Sequence, residues 1–308
     1  MFEARSGSWS RTFYLILRNP DCNAIVTCFV NVFYWIFPNS ITTNHIKEIV
    51  QQLFVHLQSL KARSCTKFYS FSTDCSQAHK TGFNKSGVYP LWLKRRYKYS
   101  LFYCDMDTAN GRLKNGGWTV IQKRMNGKVD FQQKWAEYVT GFGNLSGEHW
   151  IGLENIHLLT QQRPLKYRIQ YSESKPKLRI DFEDWDGLQM HVEYKRFLVS
   201  GANSRYDIYS LKRPLSTEMS LMIRYGLLQA YFSTVDNDST ASNCPARHKG
   251  GWWWYRNKCG YTNLNGIYPQ NNTNTGNLLE HESIYWFGWE YVSDRNTPFR
   301  RVSMKVQY

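Results

Sequence analysis

Seven cysteines stand at positions 22, 28, 65, 75, 104, 244 and 259, and their spacing constrains the fold more than any other feature. No two form a C-x-x-C pair, which argues against a zinc ribbon or a thioredoxin-type redox site. They are too few for a scaffold held mainly by disulfides and too dispersed for a zinc module. The chain must therefore fold around an apolar core, and 308 residues with 42% hydrophobic side chains are enough for one or two domains. The odd count leaves at least one thiol free or bonded to another chain.

The net charge is +15. Residues 75–308 hold 32 basic and 20 acidic side chains, so most of the excess lies beyond the first quarter of the chain, in runs such as Lys94-Arg95-Arg96. This balance predicts attraction to acidic partners: sulfated or sialylated glycans, anionic membranes or nucleic acid.

Ile25–Phe37 is a run of thirteen residues, nearly all apolar. It is short for a membrane span and suits the core of a signal peptide. Arg5, Arg11 and Arg18 precede it, which directs the downstream chain away from the cytoplasm. No A-x-A cleavage site follows. Residues 1–40 are read as a signal peptide or a signal-anchor-like segment, with a faulty start as the third reading. The first two place the chain in an oxidising compartment, either secreted or as a type II membrane-anchored protein. Ile46, Ile49, Val50, Leu53, Leu57 and Leu60 fall at helical spacing. Residues 41–73 are accordingly expected to hold a short amphipathic helix. It either packs on the domain or forms a coiled-coil stalk that joins copies through residues 46–65.

After Cys75 the chain reads as short strands and turns with a few helices. Tyr97–Tyr103, Trp118–Ile121 and the alternating Lys177–Phe182 read as strands, and Phe131–Tyr138 as a helix. Ordered segments then bring in a known family. They include Ser86-Gly-Val-Tyr-Pro90, Gly116-Gly-Trp-Thr-Val-Ile-Gln-Lys-Arg124, Gly141-Phe-Gly-Asn-Leu-Ser-Gly-Glu148, Trp150-Ile-Gly-Leu-Glu-Asn-Ile-His157, Phe232-Ser-Thr234 and Asn263-Leu-Asn-Gly266. With these, residues 74–308 resemble the fibrinogen C-terminal domain, shared by fibrinogen chains, ficolins, tachylectins, angiopoietins and tenascins. The resemblance implies an extracellular α+β recognition module with a central mixed or antiparallel sheet, short helices and long loops. It also implies the disulfides Cys75–Cys104 and Cys244–Cys259.

Val235-Asp236-Asn237-Asp238 is the strongest metal candidate, because two carboxylates two residues apart in a turn can converge on one cation. Calcium takes oxygen ligands in flexible number, and loop carbonyls can complete the shell. The resemblance assigns the ligand roles to Asp236, Asp238 and the carbonyls of Thr240 and Ser242, with calcium as the cofactor. Lectin members of the family recognise acetyl groups beside this loop, using a His directly after the second cysteine of the second disulfide. Here that position is Gly260, with His248 and Trp286 at the neighbouring aromatic positions. The missing imidazole favours a protein receptor or matrix partner over an acetylated glycan. Trp252-Trp253-Trp254-Tyr255 could offer a sugar platform, but core packing is the favoured reading.

Asn84, Asn144, Asn237 and Asn271 begin N-x-[ST] sequons. Asn237 lies between the metal candidates and is expected to stay unmodified, leaving Asn84, Asn144 and Asn271 as acceptors. No G-x-S-x-G, H-E-x-x-H, Walker A or dinucleotide fingerprint occurs, so the chain is read as non-enzymatic. Basic and aromatic residues interleave over Lys94–Tyr103. In an extracellular setting this predicts an acidic polysaccharide rather than nucleic acid. The expected function is recognition of a cell-surface receptor or matrix protein. The alternative is a calcium-dependent lectin of innate immunity that recognises acetylated or acidic glycans.

Overall fold

A computed structural model of the chain describes residues 72–108, 116–162, 176–211, 230–254, 259, 262–269, 282–286 and 299–308. The apolar segment near the start, the helix expected before residue 72, Cys22, Cys28, Cys65, Gly260 and Asn271 lie outside the described residues. The helices among them are α1 (Cys75–Lys80), α2 (Trp135–Thr140), α3 (Leu153–Thr160) and α4 (Cys244–His248). The strands are β1 (Gly87–Leu93), β2 (Lys98–Asp105), β3 (Trp118–Arg124), β4 (Phe142–Gly143), β5 (His149–Trp150), β6 (Lys177–Glu183) and β7 (Gln189–Tyr194). They continue with β8 (Phe197–Val199), β9 (Ile208–Leu211), β10 (Tyr231–Ser233), β11 (Trp252–Trp254), β12 (Thr262–Asn263), β13 (Tyr285–Trp286) and β14 (Arg301–Gln307).

The architecture is α+β. Eight strands form the main sheet, in the order β1-β2-β3-β14-β6-β7 with β4 and β5 alongside β3. Every ladder between its strands is antiparallel, so the mixed alternative gives way to the antiparallel one. The cause is local: β1–β2 and β6–β7 join through short turns, and a hairpin forces antiparallel pairing. The last strand, β14, inserts between β3 and β6. Val302, Met304 and Val306 of β14 stand opposite Phe182, Ile180 and Leu178 of β6, and all six are buried. The residues between them carry charge on the other face. There Lys305 Nζ lies 2.6 Å from Asp105 Oδ2 and 2.6 Å from Asp181 Oδ2. Arg179 bonds Asp181 at 2.7 Å and Glu193 at 2.9 Å. Burial alone would raise the Asp105 carboxyl, but Lys305 and Thr108 outweigh it and bring it down to about 2.

The helix expected over Phe131–Tyr138 starts later, at Trp135. The Asp130 side chain accepts the Gln132 N–H at 2.8 Å, which turns the chain before the helix can begin. Tyr138 still reaches back, donating its hydroxyl to the Phe131 carbonyl at 2.7 Å. Its ring packs edge-on to Phe142 at 5.1 Å and to Trp150 at 5.6 Å, and lies 5.1 Å from Phe232. Trp253 closes the cluster, edge-on to Phe232 at 5.2 Å. Such ring pairs each add about 0.5–1.5 kcal/mol beyond the area they bury. The cluster anchors β10, and so fixes where the loop after β10 leaves the core. The chains beside α2 cross closely. A side chain on Gly152, whose φ is +97°, would come within 2.7 Å of the Thr140 backbone.

Candidate functional site

The loop from Thr234 to Asn243 joins β10 to α4 and carries both metal candidates. It opens with a tight turn, in which the Asn237 N–H donates to the Thr234 carbonyl at 3.1 Å. Asp236 Oδ1 accepts the Thr234 hydroxyl at 2.7 Å and the Trp135 N–H at 2.9 Å. Its slight burial would raise this carboxyl, but the hydrogen bonds win and hold it below the usual range. Asp238 Oδ1 accepts the Thr240 N–H at 2.7 Å, and the Thr240 hydroxyl accepts the Cys244 N–H at 3.0 Å. Each carboxylate thus commits Oδ1 to the chain. Among the described residues, neither Oδ2 is hydrogen-bonded by another residue. The carbonyls of Thr240 and Ser242 likewise accept no backbone N–H there. Two carboxylate oxygens and two carbonyls make an all-oxygen donor set of the kind a hard cation takes.

The disulfide Cys244–Cys259 holds the start of α4, and Cys75–Cys104 ties α1 to β2. His248 ends α4, and its ring lies 5.3 Å from Trp254 and 6.2 Å from Tyr285. Trp286 does not join it. Successive side chains of a strand point to opposite faces, so Tyr285 faces His248 while Trp286 turns into the core. There it is 2% exposed, with its ring 5.2 Å from Phe182. His248 thus meets one face of β13 and Trp286 lies on the other, while Gly260, the third residue expected at this pocket, is outside the described residues. Trp252, Trp253 and Trp254 are buried and form no sugar platform. Trp253 Nε1 donates to the Tyr206 carbonyl at 2.8 Å, and Trp252 Nε1 to the Thr262 hydroxyl at 3.3 Å.

Two features that the sequence did not announce brace this region. Glu148 is buried and accepts four backbone N–H groups, from Met125, Asn126, Gly127 and Val129, at 2.8–3.1 Å. Burial would raise its carboxyl, but the four donors hold it down. The Asn126-Gly127 turn was the available signal, but its acceptor sits some twenty residues away. The second is the Asn263–Gly266 segment. Asn263 donates to the His248 carbonyl at 2.8 Å, and Asn265 to the Gly251 carbonyl at 2.9 Å. Gln122 and Arg124 of β3 donate to the Leu264 and Gly266 carbonyls, each at 2.8 Å. A polar segment is thus buried with its groups satisfied.

His149 is buried and bonded to the Gly147 carbonyl at 3.0 Å, and His157 contacts the Val199 carbonyl at 2.9 Å, so both serve structure. Asn84 and Asn144 are exposed. Asn237 is engaged: Arg205 donates to its side-chain oxygen at 2.6 Å and to its carbonyl at 2.9 Å.

Comparison with known proteins agrees with this architecture. The family model described as "Fibrinogen beta and gamma chains, C-terminal globular domain" matches residues 71–308. Human angiopoietin-1 is 37% identical over 238 residues, which are 76% of this chain and 42% of that protein. The chain thus spans less than half the length of that relative. The fibrinogen-like globe domain of human ANGPTL2 superposes with a TM-score of 0.61 at 29% identity, covering 77% of this chain and 98% of that one. Lamprey fibrin D-dimer, described in complex with the peptide ligand Gly-His-Arg-Pro-amide, gives a TM-score of 0.60 at 25% identity, covering 96% of this chain and 91% of that one. On this evidence the chain belongs to the fibrinogen C-terminal globular domain family.

Proposed function

We propose that the domain is a non-enzymatic extracellular recognition module that docks a protein, either a cell-surface receptor or a matrix protein. The observation that carries this reading is the displacement of Trp286 into the core beside Phe182. Gly260 also stands where acetyl-binding members of the family carry a His, so neither that imidazole nor the buried Trp286 ring is offered to an acetyl group. The similarity to angiopoietin-1, and a related fibrin fragment described with a peptide ligand, support a protein partner. Two disulfides support an oxidising, extracellular placement.

Calcium belongs to the same proposal. Asp236, Asp238 and the carbonyls of Thr240 and Ser242 would hold it. A bound cation supplies fixed positive charge and orders the loop. Asp236 and Asp238 orient the turn, Thr240 caps the start of α4, and Arg205 keeps Asn237 turned inward.

A glycan array probed with calcium and with chelator tests the choice of partner. The expected result is no calcium-dependent signal on N-acetylated sugars. A missing hydrogen-bonding or packing group costs about 1–3 kcal/mol, a large share of a weak sugar affinity. Gly260→His alone should not restore binding, because Trp286 stays in the core. A chelator-sensitive signal on acetylated glycans from the wild-type protein would overturn the proposal.

A further inference from the structure

The β1–β2 hairpin presents a surface that the proposed function does not use. In its register Val88 stands opposite Tyr103, Pro90 opposite Leu101, and Trp92 opposite Tyr99. The alternate residues Leu91, Leu93 and Phe102 go to the core. The six side chains of the three pairs therefore share the outward face. Val88 is 38% exposed and Leu101 50%, and the Trp92 and Tyr99 rings meet edge-on at 5.0 Å. Lys123 Nζ sits over the Tyr103 ring at 5.0 Å, adding a cation at one side.

The hairpin tip supplies the rest of the charge. Lys94, Arg95, Arg96 and Lys98 are all exposed, and Tyr97 is 82% exposed. Arg96 is paired with Glu154 at 3.3 Å. Lys94, Arg95 and Lys98 have no ion pair among the described residues. The carboxylate at the tip, Glu154, is already engaged, by Arg96 and by the Tyr206 hydroxyl at 2.9 Å, while Asp105 and Asp107 lie at the far end of the hairpin. The tip is also held in place. Gln162 accepts the Lys94 N–H at 3.0 Å and donates to the Trp92 carbonyl at 3.2 Å. Tyr97 has a φ of +49°, a left-handed conformation that points to a fixed turn.

A contiguous apolar and aromatic face bordered by a fixed cationic tip fits a ligand that alternates flat apolar surface with strong negative charge. We infer that this hairpin face and its tip bind a sulfated polysaccharide, with sugar rings against Tyr97, Tyr99 and Leu101 and sulfates around the tip, against Lys94, Arg95 and, at the strand end opposite Leu93, Lys98. The charge complementarity decides the class of partner, since an uncharged glycan would leave the tip cations unused. The site lies apart in the sequence from the calcium loop and does not depend on it.

The test is binding of heparin by the full chain across a series of salt concentrations. Lys94→Ala/Arg95→Ala/Lys98→Ala should weaken binding at least about tenfold and flatten the slope of log affinity against log salt by about 2, at roughly 0.7 per lost contact on a flexible polyanion. Lys80→Ala/Lys128→Ala/Lys195→Ala removes the same charge from exposed sites elsewhere and should change the slope far less. Tyr97→Asn keeps a residue that tolerates the left-handed backbone and should lower affinity about threefold at unchanged slope. All variants should keep the wild-type unfolding midpoint. Equal loss in the two triple variants would reduce the effect to diffuse charge and overturn the site. An unchanged affinity in Tyr97→Asn would overturn the ring contact and with it the saccharide assignment. Tighter binding of single-stranded DNA than of heparin through the same residues would overturn the proposal in favour of nucleic acid.

Discussion

Asp236 Oδ1 accepts the backbone N–H of Trp135 at 2.9 Å, across 101 residues of chain. The bond fastens the proposed cation loop to the first residue of α2. That helix lays Tyr138 into the aromatic cluster with Phe142, Trp150 and Phe232. Whatever orders the loop is therefore felt by the core.

Calcium should raise the melting temperature. A ligand that binds only the native state at a hundred times its dissociation constant adds about 2.7 kcal/mol. Asp238→Ala should abolish the rise with little change in chelator, since its carboxylate accepts one local N–H. Asp236→Ala should abolish it and also cost about 1 kcal/mol in chelator, because the Trp135 N–H and Thr234 hydroxyl lose their acceptor. Calorimetry in calcium and in chelator checks both. Identical wild-type melts in the two buffers would remove the metal assignment.

Glu148→Gln should destabilise the domain by about 3 kcal/mol. The amide places an N–H donor among four backbone donors and removes the charge they stabilise. Urea unfolding at neutral pH measures it, and a loss below about 1 kcal/mol would show that the nest is dispensable.

Asp105 predicts an acid-sensitive share of stability. Its folded value, about 2, lies below the 3.8 of an unperturbed aspartate. The contribution is thus fully present above pH ~4 and is lost as the pH falls through ~2. The difference corresponds to about 2 kcal/mol. The stability gap between wild type and Asp105→Asn should shrink by that amount over this window. A constant gap would mean that the Lys305 pairing does not tune this carboxyl.

Non-reducing peptide mapping should recover Cys75–Cys104 and Cys244–Cys259. Removing either pair should cost about 3 kcal/mol in the chain-entropy account. A bond from any of these four to Cys22, Cys28 or Cys65 would contradict the assignment.

What the sequence made legible follows from how each segment is buried. Lys177–Phe182 alternates because its two faces differ, with Leu178, Ile180 and Phe182 in the core and Arg179 and Asp181 in an ion network. Trp252–Trp254 has no alternation to read because all three rings are buried. The late start of α2 has a local part, the Asp130 turn, and a part no local reading could find, since the acceptor of the Trp135 N–H, Asp236, is distant in sequence. The same holds for Glu148, whose four donors lie in a turn before it. That Trp286 packs on Phe182 was not legible, because family position carries no information about which face of β13 a side chain takes. The proposed cation loop can be put forward from the sequence because its candidate donors are local, two carboxylates and two carbonyls within seven residues.

The most direct measurement of the central claim is binding of the full chain to intact cells from which heparan sulfate has been removed enzymatically. That treatment sets aside the hairpin face and leaves the proposed protein docking surface. The account predicts saturable binding that is abolished by chelator and by brief trypsin treatment of the cells, and is unaffected by free N-acetylglucosamine. Binding that survives trypsin but disappears on enzymatic deglycosylation, or on adding N-acetylglucosamine, would contradict it.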